Sequence, residues 1–346
     1  MRQFLLRTFA VFGIGTLFIL ALAILWNAAS VLLLLFAAVL MGNLLIDAST
    51  ALEKFLHIRH GFALALTLIL ALLFFGGLGW LFAPQISQQT DQLMVDIPAS
   101  VDRLRDYLDE SALGRAILDT LPSPSVLFSD SSLLIKHLSN FFSGVFGAVA
   151  DFVIIFFAGI YLAAQPKIYA DGLIKLLPQA ARPRGREVLD ELSRTLRLWL
   201  RGKVFSMAAI GVTTTLGLAL LGVPLALSLG LIAGLLDFIP YLGPILASIP
   251  GILIALSQSP ELALYTALLF IFLHTLDGYI LLPMVERHTV AMFPGVTISL
   301  QVLLGLNFGL TGVALATPLA AVLTVLIEML YVQDCLGDRV KLPSEH

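Results

Sequence analysis

The strongest constraint on this chain is its series of uninterrupted apolar runs, each close to the length of a helix that crosses a bilayer. A spanning helix needs about 20 predominantly apolar residues to cover roughly 30 Å of hydrocarbon. Segments 9–26, 31–46, 61–83, 144–164, 204–221 and 262–282 meet that test. Two further apolar blocks, 225–256 and 296–332, are too long for one straight span and too short for two comfortable ones. Composition agrees: 59% of the 346 residues are hydrophobic and 12% are charged. A soluble domain carries about twice that share of charge, so a soluble fold is excluded. The reading is an all-α, polytopic transmembrane helical protein with broken or re-entrant helices and amphipathic helical inserts.

The run 9–26 follows Arg2 and Arg7, as a secretory signal would. It is longer than a signal's apolar region and leads at once into a second run, so it is expected to be retained. The short connection at Asn27–Ser30 predicts an antiparallel hairpin. Orientation follows from the Lys/Arg bias of the loops. Segment 165–203 holds nine cations against four acids and is expected inside; segment 84–145 holds four against eight and is expected outside. From Val204 to Asp338 there is one cation, Arg287. The organisation is therefore three N-terminal transmembrane helices in 1–83, an extracytoplasmic amphipathic insert in 84–143 and a span in 144–164. A basic cytoplasmic amphipathic segment in 165–203, a transport core with broken helices in 204–332 and a cytoplasmic tail in 333–346 complete it.

Both inserts show helical periodicity. Ile97, Val101, Leu104 and Leu108 recur among charges in the first. In the second, Val188, Leu192, Leu196 and Trp199 share one side, with Arg186, Arg194, Arg197 and Arg201 spread over the other. A basic amphipathic helix with a Trp reads as lying on an anionic membrane surface; packing on a neighbouring subunit or of such helices on each other is the alternative.

Catalytic signatures are absent: there is no HExxH, no GxSxG and no Walker A loop. No enzyme activity, cofactor or metal is expected, and Glu53, His57 and His60 read as solvated loop residues. Acids at membrane depth are more informative, because an ionisable group there is costly and faces a bundle interior or a water path. Asp237, Asp277, Glu328 and Asp151 qualify. No Lys or Arg is expected to reach Asp237, which must then find backbone N–H groups, water, a cation or a proton. His274 and Asp277 lie three apart on one face, as a proton relay or a structural pair would. Around Asp237, Pro240, Gly243 and Pro244 prevent a continuous helix and leave carbonyls free, with Tyr241 inside the break. Such backbone is tolerated in a membrane only within protein or beside a wet cavity, and broken helices of this kind carry sites in secondary transporters.

Over residues 200–338 the chain resembles the autoinducer-2 exporter family of predicted permeases. The resemblance rests on Leu221-Gly222-Val223-Pro224, Gly230-Leu231-Ile232-Ala233-Gly234 and Phe238-Ile239-Pro240-Tyr241-Leu242-Gly243-Pro244. It continues through Gly278-Tyr279-Ile280-Leu281-Leu282-Pro283, Pro294, Gly305, Gly309, Gly312 and Ala316-Thr317-Pro318-Leu319 to the tail Leu330–Asp338. One departure is Asp237, where the family's pattern often has Asn. The resemblance implies a multi-pass protein of the bacterial inner membrane, N-terminus inside by the charge bias, and a homo-oligomer. It implies export of autoinducer-2 in some members and sodium or lithium/proton antiport in others. Expected partners are the lipid bilayer and a small polar solute or cation, with no nucleic acid. The pathway residues would be Asp237, Pro240, Tyr241, Gly243, Pro244, His274, Asp277, Tyr279 and Pro283. Three readings stay open: solute exporter, cation/proton antiporter and non-transporting scaffold.

Overall fold

The computed structural model describes residues 2–77, 151–281 and 294–338; among these there is no strand. The insert 84–143, Pro283 and Arg287 lie outside the described residues. Five described helices are long and apolar enough to cross a membrane. Among the described residues many large apolar side chains face outward, Leu220 and Leu306 more than four-fifths exposed. Lipid, not water, is the solvent for such a face.

Helix α1 runs unbroken over Arg2–Leu56. The turn expected at Asn27–Ser30 is not formed: that stretch has neither Gly nor Pro, and its two alanines favour helix. The chain turns instead after α1, where His57 has φ 55° and the Arg59 carbonyl accepts from Phe62 and Ala63 to start α2, His60–Gly77. Helix α3, Asp151–Ala164, crosses α1 closely, since a Cβ on Gly159 would come within 2.8 Å of Met41. Phe75 of α2 meets Phe152 and Phe156 of α3 with centroids 4.6 and 6.3 Å apart. At Gln165-Pro166 the chain turns through 87° into α4, Pro166–Lys175.

After a 3-10 turn at Gln179–Ala181, α5 extends over Arg182–Leu220. The basic stretch and the apolar run after Val204 thus form one 39-residue helix. The apolar edge of its basic half does not lie on a leaflet, because other helices cover it. Val188 packs with Val325 and Met329, while Leu196, Trp199 and Leu200 pack with Leu33, Ala37, Leu40 and Leu315. Trp199 is 3% exposed, so its expected place at the membrane surface is corrected to the bundle interior.

Helix α5 ends in a Schellman motif: Val223 N–H donates to Leu218 O, Gly222 N–H to Ala219 O, and Gly222 has φ 77°. The chain then returns along α5 as α6, Ala226–Leu236. Glycines set the separation. A Cβ on Gly230 would overlap the Thr215 hydroxyl, and one on Gly211 would sit 3.5 Å from the Cα of Gly234.

The two blocks left ambiguous by length are folded back on themselves. Helix α7, Leu242–Gln258, begins so close to α6 that a Cβ on Gly243 would overlap the Leu236 carbonyl. Seven residues of straight helix would separate those groups by about 10 Å. Helix α8 covers Pro260–Leu276, its N-terminus capped by Ser259 Oγ accepting from Leu262 N–H at 3.1 Å, and continues as a wide turn over Asp277–Leu281. Helix α9, Pro294–Leu326, is broken at Gly309 (φ 60°, ψ −145°) and continues as a wide-turned helix, Ile327–Leu336. A Cβ on Gly312 would overlap the Leu304 carbonyl, so the arms 294–308 and 310–326 form a second helical hairpin.

Gly312→Val and Gly243→Val are therefore expected to lower the melting temperature in detergent, by the equivalent of about 1–3 kcal/mol or more, as overpacking does. Gly76→Ala, with open space at its Cβ, is expected to leave melting unchanged.

Candidate functional site

The site follows from the register of α5 against α6. Thr215 stands level with Gly230 and Gly211 with Gly234. Carried on one turn, this antiparallel register brings Asp237 to the turn of α5 that bears Lys203 and Ser206. Lys203 Nζ lies 2.9 Å from Asp237 Oδ2, with the two side chains 6% and 2% exposed. Asp237 does have a basic partner, contrary to the expectation that none reaches it. Lys203 closes the basic stretch in sequence, yet its place on the continuous helix carries it into the protein.

Ser206 Oγ lies 2.9 Å from the same Asp237 oxygen and 3.0 Å from Asp277 Oδ1. Asp277 enters from the first residue of the wide turn after α8. A serine hydroxyl has one hydrogen and can donate to one acceptor at a time. For both contacts to be hydrogen bonds, a second proton must sit between Ser206 and one carboxyl. Lys203 supplies one positive charge to two carboxylates, and that added proton makes the cluster neutral. The arrangement can hold, exchange or pass a proton between the buried Asp237 and the half-buried Asp277.

His274 lies one turn before Asp277 and stacks on Phe270, with centroids 5.8 Å apart and planes 24° apart. Both ring nitrogens are buried without a hydrogen-bond partner. His274, Asp237 and Asp277 are thus brought into one neighbourhood by α8 and the α6–α7 corner.

At that corner residues 237–241 leave the helix, and Tyr241 takes φ 66°. Gly243 N–H donates to Ile239 O at 2.9 Å. The Pro240 carbonyl accepts from Gln301 Nε2 at 2.9 Å, and Gln301 is 1% exposed. Gln301 belongs to the first arm of α9, so one buried amide joins the two hairpins. Pro244 sits in the first turn of α7. Tyr279 is 82% exposed and stands away from the cluster.

The arginines of α5 serve separate contacts. Arg201 grips Asp47 of α1 through Nε and Nη2, both at 2.8 Å. Arg186 pairs with Asp171 of α4 at 2.5 Å. Arg194 and Arg197 line a cleft of about 630 Å³ with Arg184, Glu187, Asp190 and Glu191. Arg184 ties this end of α5 to the helix Ile327–Leu336 through Asp334, Gln333 and the Met329 carbonyl. Further out, Glu53 pairs with His60 at 2.9 Å on the surface, and Asp151 accepts from Thr311 at 3.3 Å.

Sequence reading did not find Lys203, Ser206 or Gln301. A signal for the first two was present: Glu191, Thr195, Trp199, Lys203, Ser206 and Thr214 recur at three- to four-residue intervals or their multiples, and all are buried. That stripe of mixed polarity marks a helix face turned inward.

Lys203→Met is expected to destabilise the protein by about 3–5 kcal/mol, because it leaves Asp237 as a buried unpaired charge. Adding Asp237→Asn should recover much of that loss, which a double-mutant cycle on thermal melts measures. Gln301→Leu should cost about 0.5–1.5 kcal/mol on thermal melts, the loss of one buried hydrogen bond, because the Pro240 carbonyl keeps its bond from Leu242 N–H.

The comparisons with known proteins point the same way as the bundle and its buried polar centre. The family model described as "AI-2E family transporter" matches residues 15–331. The Bacillus subtilis "Putative transport protein YrrI" is 28% identical over 78% of this chain and 79% of its own length. YueF of the same organism, also a "Putative transport protein", is 25% identical over 74% and 73%. The Escherichia coli "Putative permease PerM" is 24% identical over 69% and 70%. The chain belongs to the AI-2E family and is a multi-pass membrane transporter.

Proposed function

We propose that this transporter is a proton-coupled secondary carrier that exports a small polar solute, with the coupling proton held by Asp237, Ser206 and Asp277. The observation that carries this reading is the single hydroxyl placed between a buried and a half-buried carboxylate, Asp237 and Asp277, which has one hydrogen for two acceptors. Burial supports it, since a carboxylate pair held at membrane depth beside one lysine gains from binding a proton and loses from binding none. The α6–α7 corner supports it as well. Its irregular backbone borders the carboxylates, as unwound segments border ion and substrate sites in secondary carriers. Among polar solutes, autoinducer-2 is the cargo that the resemblance suggests. In this reading the carrier occupies the bacterial inner membrane with its N-terminus inside, following the Lys/Arg bias, and assembles as a homo-oligomer.

A second reading, sodium or lithium/proton antiport, is favoured by the charge of the same cluster. One lysine against two carboxylates leaves room for one monovalent cation in place of the shared proton.

Purified protein in liposomes with an internal pH dye tests both. Solute export coupled to protons predicts a pH change when a transported polar solute is supplied on one side. That change should be lost in Asp277→Asn, while melting stays near that of the parent. Antiport predicts instead that sodium or lithium alone dissipates an imposed proton gradient. Solute flux with no proton movement, unaltered by Asp277→Asn, would rule out coupling at this site.

A further inference from the structure

We infer that α4, and not the basic half of α5, is the element that binds the membrane surface, with its apolar half seated among anionic phospholipid headgroups. Three independent features lead there. First, the chain turns through 87° between α3 and α4. A helix at right angles to a spanning helix, starting where that span ends, runs along the plane of the bilayer. Second, its surface divides into halves. At 100° per residue, Ile168, Tyr169, Leu173 and Leu176 fall within one continuous half. These four are 63%, 44%, 58% and 82% exposed.

The opposite half is already occupied. Ile174 is buried, Asp171 pairs with Arg186, and Gly185 of α5 fits under Ile174 and Leu177. Arg182 donates to the Leu177 and Lys175 carbonyls and closes the C-terminal end. These contacts fix the helix against rotation, so its apolar half faces permanently away from the bundle. Third, Lys167 and Lys175 stand near its two ends, within the stretch that holds nine of the chain's 20 cations. A fixed apolar half with a tyrosine and flanking lysines matches the chemistry of an anionic interface, where acyl boundary and phosphate lie a few ångströms apart.

The same position explains why α5 does not fill this role. Its apolar edge is used against α1 and α9, and four of its cations, Arg184, Arg186, Arg201 and Lys203, are committed to carboxylates.

The test uses the full chain carrying Cys335→Ser, which removes the exposed native thiol. Spin labels are placed singly at Tyr169→Cys, Leu173→Cys and Leu176→Cys, and the protein is reconstituted in bilayers with and without phosphatidylglycerol. The expected result is collision with dissolved oxygen several-fold above collision with a water-soluble nickel chelate at all three sites. The difference should be larger in the anionic bilayer, and Lys167→Gln with Lys175→Gln should remove that lipid dependence. Labels open to the nickel chelate would overturn the inference. Labels shielded from both reagents would also overturn it, showing that a second copy of the chain covers the face. Oxygen-favoured labels indifferent to lipid charge would overturn the anionic assignment.

Discussion

Inside hydrocarbon no water is present to bond a stray backbone N–H or C=O, and that requirement shapes the C-terminal half of this transporter. Three places where the described backbone leaves a helix have a local answer. The end of α5 is closed by its Schellman motif, the α6–α7 corner by Gly243 donating to Ile239, and the carbonyl at Pro240 by Leu242 N–H together with Gln301. Glycine recurs at the corners because the returning strand of chain touches a carbonyl that a Cβ would overlap, as at Gly243 and Gly312. Two helical hairpins result, and the single amide of Gln301 connects them.

The polar centre is a consequence of the same packing. Small residues let α6 approach α5 closely, and the register they impose delivers Asp237 to Lys203 and Ser206. The wide turn at Asp277–Leu281 then points Asp277 at the same serine. Neither acid could remain ionised alone in such surroundings without a heavy desolvation cost. Their grouping with one lysine and one hydroxyl reduces that cost and leaves a proton, or a cation of equal charge, as the variable. A buried site with one labile charge is suited to coupling, whereas a fully neutralised one would be structural.

Much of this was legible in the residues themselves. Apolar runs of spanning length announced a polytopic helical protein, and Pro240, Gly243 and Pro244 located the break beside Asp237. Two errors have physical causes. A turn was expected at Asn27–Ser30 because two runs of spanning length adjoined there, but local propensity at that point favours helix and nothing opposes it. The α5 pattern was read as a membrane-surface helix because periodicity reports that a face is apolar without reporting what covers it. For Trp199 the cover is Phe238, at 5.7 Å edge to face, together with α1 and α9.

The sequence by itself determined the solvent of this protein, the position of its broken helix and the list of ionisable groups that had to be accommodated. Those follow from composition and from the covalent limits of proline and glycine, which act on neighbours along the chain. Tertiary structure alone decided which groups meet. Lys203 and Asp237 are 34 residues apart, and Ser206 and Asp277 are 71 apart. Their encounter depends on how closely α5 and α6 pack and on where α8 loosens into its wide turn. Those are properties of helix faces in contact, and periodicity along a single helix does not contain them.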